Sequence, residues 1–171
     1  LNPEQSFNVN LNYTKYYRWN NISLNIDASA WYSYFSNQII ADYDTDPNKI
    51  IYKNLDGYAA SKGATLNLEL NIGHRFKSLI GATVQDVAKV ETIQGNKIKQ
   101  QPVLTEKWSG TWAITYLFPA AGFTIDYTGN VYGPMRLPLL SATDPRPGHS
   151  PVWSIQNIQF TKMLNKKTEV F

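Results

Sequence analysis

The run Ile22-Ser23-Leu24-Asn25-Ile26-Asp27-Ala28-Ser29-Ala30-Trp31-Tyr32 alternates apolar with polar residues almost without a break. A period of two is the mark of a strand with one apolar face, and this run is about twice the ~5 to 6 residues usual in globular strands. The same pattern recurs along the chain. Phe7, Val9, Leu11 and Tyr13 alternate with Asn8, Asn10, Asn12 and Thr14; Leu66, Leu68, Leu70 and Ile72 with Thr65, Asn67, Glu69 and Asn71; Ile80, Ala82 and Val84 with Gly81, Thr83 and Gln85. Further on, Trp108, Gly110, Trp112, Ile114 and Tyr116 oppose Ser109, Thr111, Ala113 and Thr115, and Phe123, Ile125, Tyr127, Gly129 and Val131 oppose Thr124, Asp126, Thr128 and Asn130. Val152 to Met163 is strand-like with a slip of parity near Asn157, which predicts a bulge, and Thr168 to Phe171 begins another strand.

The connections alternate in length. Short ones fall at Arg18 to Asn21, His74 to Lys77, Pro119 to Gly122 and Leu164 to Lys167; long ones at Asn37 to Lys62, Lys89 to Lys107 and Gly133 to Pro151. In an up-and-down meander every second connection emerges at the same end, so short turns share one rim and long loops the other. Outer-membrane barrels are built this way, from strands of roughly 9 to 11 residues. The reading is an all-β, antiparallel up-and-down meander of about eight strands, a segment of a larger transmembrane β-barrel.

Charge shows that the apolar rows are the buried ones, while a sandwich core would take them as well as lipid would. With the apolar rows toward lipid no charged residue falls in the middle of an outward row; the opposite choice places Asp27, Glu69 and Asp126 in hydrocarbon, where a basic residue at the midplane costs ~2 to 4 kcal/mol and an acid somewhat less. The Asn and Thr rows then suit a wet interior. Aromatics gather near strand ends: Tyr16, Tyr17, Trp19, Phe76, Tyr116, Phe118 and Phe123 beside short turns, and Trp31, Tyr32, Tyr34, Phe35, Trp108, Tyr132 and Trp153 beside long loops. That distribution predicts two interfacial girdles.

Composition agrees. Of 171 residues only 17% are charged while 13% are aromatic, against about 25% charged in an ordinary soluble domain; intrinsic disorder is excluded. Mean hydropathy is -0.36, and no apolar run approaches the ~18 residues of a spanning helix. With Cys 0 there is no thiolate chemistry. A net charge of +3 gives no nucleic-acid footprint, the basic groupings being only Lys97/Lys99 and Lys162/Lys166/Lys167. The first residue is Leu1, without a signal peptide, so the chain reads as cut from something longer.

No catalytic constellation emerges, and no enzyme or cofactor is expected. His74 and His149 fall at opposite rims, too far apart for a shared metal or triad. The glycines from Gly57 to Gly63 lack phosphate-loop spacing. Asp42, Asp44 and Asp46 open like a calcium loop, but Pro47 replaces its glycine and Lys53 its closing Glu, so a solvated loop is expected. The sequons at Asn12 and Asn21 sit on or beside strands, and chance explains them. In the third long loop, Pro134, Pro138, Pro145 and Pro147 limit freedom, and Arg136, Arg146 and His149 give a positive bias suited to an anionic ligand.

The stretch Leu24 to Ile39, with its run Trp31-Tyr32-Ser33-Tyr34-Phe35 before Asn37 and Ile39, resembles the C-terminal barrel of TonB-dependent outer-membrane receptors. Tyr52-Lys53-Asn54, Gly57 and Ser61-Lys62-Gly63 are similar to that family's Asn, Gly and strand-opening Gly; Trp153 to Lys162 resembles its penultimate strand and Thr168 to Phe171 the start of its last. Thr65 departs from the family's common Glu, and the closing Asn-Leu-Phe box would fall beyond Phe171. The resemblance implies that residues 1–171 are a C-terminal segment of a barrel of about twenty-two strands, with plug, earlier strands and the end of the last strand lying outside it. It further implies outer-membrane lipid as surroundings, import of a small-molecule ligand (a siderophore or other metal chelate, haem, cobalamin or similar), and energy from the TonB complex of a Gram-negative cell. Lumen-facing Asn25, Asp27, Trp31, Glu69 and Asp126 would line the ligand route, with loop contacts from Arg136, Arg146 and His149. Two alternatives stand beside this: a complete small eight-stranded outer-membrane barrel, and a soluble β-sandwich carbohydrate-binding module.

Overall fold

The alternating runs pair with their neighbours into one antiparallel sheet. A computed structural model describes residues 1–42, 46, 48–93, 95–138, 145–165 and 168–171; Asp44, Pro47, Lys166 and Lys167 therefore lie outside the described residues. The strands are β1 (Gln5–Trp19), β2 (Ile22–Ser36), β3 (Ile39–Asp42), β4 (Ile51–Asn54), β5 (Gly57–Ile72), β6 (Phe76–Ile93), β7 (Asn96–Gln100), β8 (Trp108–Phe118), β9 (Phe123–Tyr132), β10 (Trp153–Asn165) and β11 (Thr168–Val170). The sheet runs β1-β2-β5-β6-β8-β9-β10-β11, with β7 added to β6, while β3 and β4 form their own hairpin. The eight-strand meander is thus as the sequence implies.

Two of the long connections are more ordered than the loss of alternation suggests. β5 starts at Gly57 and β6 runs to Ile93, because backbone pairing from Gly57↔Glu91 to Ile72↔Phe76 continues without interruption. Beyond Lys62 and Asp86 the side chains no longer face a uniform apolar medium, so the period-two signal fades while the hydrogen-bond ladder does not. The bulge expected near Asn157 is absent: β10 pairs with β9 residue for residue from Trp153↔Tyr132 to Lys162↔Phe123, and the register shifts only between Met163 and Asn165. What changes along β10 is which row is apolar. Trp153 and Ile155 share the face of Asn157, Ile158 and Phe160 the opposite one.

Among the described residues no second layer covers the sheet. Among the described residues the buried apolar ones are Leu55, Ala59, Ala88 and Val90, all toward the long-loop end, whereas Leu66 (44%), Ile80 (49%), Val84 (58%) and Phe160 (50%) stand open on the apolar face. A sandwich would bury that face against a second sheet ~10 Å away; the soluble alternative therefore has no core. The apolar face is instead built of rows such as Ile26-Leu68-Ile80-Trp112-Gly129, in register across five strands. On β1 that row meets Lys15, so the expectation of outward rows free of charge at their middle fails there, the ammonium lying 5.7 Å from the centroid of the Tyr17 ring.

At the turn end its aromatics touch: Tyr17 and Trp19 stack at 5.4 Å on β1, and across β8 to β10 a series runs from Tyr116 edge-on to Phe118 at 4.6 Å through Phe118–Phe123 and Phe123–Phe160 at 6.1 and 5.8 Å. At the long-loop end Tyr34 and Tyr58 stack on the same face. Both girdles are nevertheless split: Tyr16 of the turn-end group stands on the polar face opposite Asn25, and four of the long-loop group lie there too. Trp31, Phe35, Tyr132 and Trp153 belong by register to the polar face, where Tyr132 and Trp153 stack at 4.5 Å. Alternation carries each of them inward, and only Tyr32, Tyr34 and Trp108 of that group remain outward.

Three glycines admit tryptophan rings against the backbone: Gly133, where a Cβ would fall 2.6 Å from Trp108 Nε1, and two that lie directly opposite a tryptophan in the ladder. Trp31 lies opposite Gly63, where a Cβ would meet the Trp31 ring and come within 2.6 Å of the Val84 carbonyl oxygen. Trp112 lies opposite Gly129, where a Cβ would fall 2.6 Å from Trp112 Cε2 and 3.0 Å from the Ile155 oxygen. Each ring covers the bare backbone beside it, as aromatic residues do across from strand glycines.

Candidate functional site

The polar face is organised in cross-strand rows. Nearest the turns, Arg18, Ser23, Asn71, Lys77, Thr115, Asp126 and Gln159 follow one another in register across seven strands. Next comes Tyr16-Asn25-Glu69-Leu79-Ala113-Thr128-Asn157, then Thr14-Asp27-Asn67-Gly81-Thr111-Asn130-Ile155. Asn25, Asp27, Trp31, Glu69 and Asp126 all stand on this face, as their parity requires.

Each acid there is held by near neighbours. Asp27 accepts from Thr14 Oγ1 and from Asn25 Nδ2, both at 2.7 Å. Glu69 faces Lys77 Nζ at 3.7 Å and accepts from Asn71 Nδ2 at 3.3 Å. Asp126 accepts from Thr115 Oγ1 at 2.6 Å. Glu69 and Asp126 do not form a carboxylate pair: β6 and β8 lie between their strands, a lateral gap of ~14 Å at ~4.8 Å per strand. These rows present hydrogen-bonding groups and fixed charges along the polar face. Trp31 donates its indole N–H to Ser61 Oγ at 3.3 Å and presents a flat surface above these rows.

A cavity of about 790 Å³ opens at the long-loop end between the β3–β4 hairpin, the upper part of β6 and the proline-bearing loop. Its charged lining is Asp42, Lys53, Lys89, Glu91 and Arg136, with His149. Lys53 on β4 reaches Asp42 at 2.9 Å and Glu91 at 3.2 Å, and these two hydrogen bonds, Asp42 first, raise its pKa above the ordinary lysine value. Asp42 is buried at 9%. The loop acids are thus not simply solvated: Asp42 pairs with Lys53 across the hairpin, Lys53 in turn tying the hairpin to Glu91 on β6, while Asp46 caps the Asn48 amide and pairs with Lys49. Among the described residues no group of His, Cys, Asp and Glu could hold a metal ion.

Arg136 has a different situation. Its Nη1 donates to Gln100 Oε1 at 3.5 Å and to the Gln101 carbonyl at 3.3 Å, both neutral acceptors, and the described residues give it no carboxylate. The backbone of Arg136 pairs with His149, and Leu137 N–H donates to the Gly148 carbonyl, so the two side chains stand together at the rim. Arg146 donates instead to the Pro138 carbonyl at 3.2 Å and is not among the lining residues. Asp144 lies outside the described residues. The structure therefore joins Arg136 and His149 and separates Arg146 from them. Sequence reasoning missed Lys89, Glu91 and Lys53. The first two continue the inward parity of Gln85 and Val87, so carrying the β6 alternation onward would have placed them; Lys53 carries no such signal.

The family model described as TonB dependent receptor-like, beta-barrel, matches residues 1–155. A comparison with curated proteins gives no match.

Proposed function

From the membership of this chain in the TonB-dependent receptor β-barrel family, a family of Gram-negative outer-membrane receptors and transporters, we propose that residues 1–171 form a C-terminal segment of the wall of a larger barrel. The receptor takes up a scarce small molecule, a metal chelate such as a siderophore, haem, cobalamin or a compound of that kind, and draws on the TonB complex through parts of the protein outside this segment. The ligand first meets the long-loop cavity and then passes the Asn25, Asp27, Trp31, Glu69 and Asp126 rows.

The observation that carries this reading is Arg136, a half-buried guanidinium whose partners among the described residues are neutral oxygens, at the rim of a 790 Å³ cavity. A carboxylate or phosphate on the ligand gains charge-assisted hydrogen bonds there without displacing an existing ion pair. His149 adds a ring N–H donor beside it.

Uptake of labelled ferric siderophores, haem and cobalamin in cells with and without the gene, each with and without functional TonB, tests the proposal. At least one class should lose uptake on deletion of either gene, and Arg136→Gln should weaken surface binding of an anionic member by about tenfold. Unchanged uptake of every class after deletion overturns it.

A further inference from the structure

On the apolar face, beside the long-loop rim, small residues replace large ones. Ala30, Ala64 and Ala82 floor a hollow of about 460 Å³ between Leu11 on one flank and Val84 on the other. The registers Leu11↔Ala30, Ala30↔Ala64 and Ala64↔Val84 place Leu11, Ala30, Ala64 and Val84 in one row, with Ala82 in the next row toward the turns, opposite Leu66. Everywhere else in the membrane band the outward residues are mostly Leu, Ile, Phe or Trp. A methylene takes about the room of a water, ~30 Å³, so the hollow holds roughly fifteen.

Directly above it the row changes character. Tyr32, Lys62 and Asp86 are the next outward residues, one strand pitch of two residues or ~7 Å higher. Asp86 is shared by two ammonium groups, Lys62 Nζ at 4.0 Å and Lys99 Nζ at 3.2 Å, and both lysine side chains are well exposed, at 65% and 63%. One carboxylate between two lysines leaves a positive charge uncompensated. In this family the long loops face outward from the cell, so the lysines stand at the headgroup level of the outer leaflet and the hollow lies in its hydrocarbon.

We propose that this outward surface is a binding site for an outer-leaflet lipid with a net anionic phosphate headgroup, its phosphate on Lys62 and Lys99 and the upper part of one acyl chain in the alanine-floored hollow. The two halves match one amphiphile: charge complementarity chooses an anionic headgroup, and the hollow below it takes an unbranched chain that no protein residue fills. The Asp86 carboxylate sets the spacing of the two ammonium groups and limits the site to a single net positive charge, which favours one phosphate. This site lies on the face opposite the ligand route and does not depend on which ligand the receptor imports.

The test uses the intact receptor, purified and stripped of lipid in detergent, titrated with phosphatidylglycerol or phosphatidylcholine and read by native mass spectrometry. Wild type should retain one phosphatidylglycerol at about tenfold lower lipid concentration than phosphatidylcholine, and the double variant Lys62→Gln/Lys99→Gln should lose that preference. Ala64→Leu should lower retention of both lipids while leaving the headgroup preference in place. Should Ala64→Leu fail to fold, judged by heat-modifiable migration of the barrel, the lysine double variant alone decides. Equal retention of the two lipids by wild type, or an unchanged preference in the double variant, overturns the proposal, and normal ligand uptake by the double variant keeps the result separate from the transport reading.

Discussion

Leu68→Arg and Asn67→Arg place the same side chain one residue apart on β5, on opposite faces. Leu68 lies between Ile26 and Ile80, Asn67 between Asp27 and Gly81. The outward row from Lys62 to Ile72 spans ten steps; at ~3.4 Å per residue and a tilt of ~40° this rises about 26 Å, close to the ~25 Å apolar band of an outer-membrane barrel. Leu68 is therefore near mid-depth, where an arginine facing lipid costs about 2 to 4 kcal/mol, a factor of roughly 30 to 1,000 in the folding equilibrium. At Asn67 the guanidinium faces a hydrated interior beside Asp27, and the cost should stay below about 1 kcal/mol. Reversible urea unfolding of the intact barrel in lipid vesicles measures both. Equal losses, or a larger loss at Asn67, would refute the assignment of faces.

Gly63→Ala should displace the Trp31 ring and destabilise the barrel by about 1 to 3 kcal/mol, seen as a lowered unfolding midpoint together with a red-shifted tryptophan emission. Trp112→Phe should change stability by less than about 1 kcal/mol, because Trp112 Nε1 is buried without a partner among the described residues and removing that unsatisfied donor offsets the lost ring area; a loss near that of an ordinary core truncation in the same unfolding assay would count against it. Lys53→Met should free the β3–β4 hairpin from β6 and speed proteolysis within residues 39–54 several-fold. Since the pKa of Lys53 is raised in the folded state, wild-type protection should be full below the ordinary lysine value of ~10.4 and fall only as pH climbs through the higher folded value; protection that declines between pH 7 and 9 contradicts the pairing.

The strands were legible wherever one face meets a uniform apolar medium. Ile22 to Tyr32 and Leu66 to Ile72 fall in register as their alternation implies, and parity alone carried Asn25, Asp27, Glu69 and Asp126 to the polar face. The signal faded where the surroundings did. Lys89 and Glu91 continue β6, yet above the apolar band nothing forces one row to be hydrophobic, so the strand end was read as loop. β10 misled differently: Ile155 faces inward and Ile158 outward, so a change in which row is apolar imitated a bulge that the unbroken pairing with β9 excludes. Trp31, Tyr132 and Trp153 were assigned by height to a girdle, whereas the side of the sheet is set by odd or even number. The cavity was hardest to anticipate, because Lys53, Glu91 and Arg136 come from three separate connections and only their folding back brings them together.

In the main sheet each long strand pairs with the long strand before and after it along the chain, and the β3–β4 hairpin occupies the span between β2 and β5. This nearest-neighbour connectivity has a kinetic consequence. Pairing starts at the tight turns, where Trp19↔Ile22 and Ile72↔Phe76 close with almost no chain entropy to lose, and each ladder then zips away from its turn. Joining β2 to β5 requires a longer closure, but the intervening β3–β4 hairpin draws Leu55 back to Gln38 and shortens the effective loop. The wall therefore has low contact order for its size, and it is expected to assemble as successive hairpins, with the β2–β5 and β6–β8 seams formed after the hairpins they join.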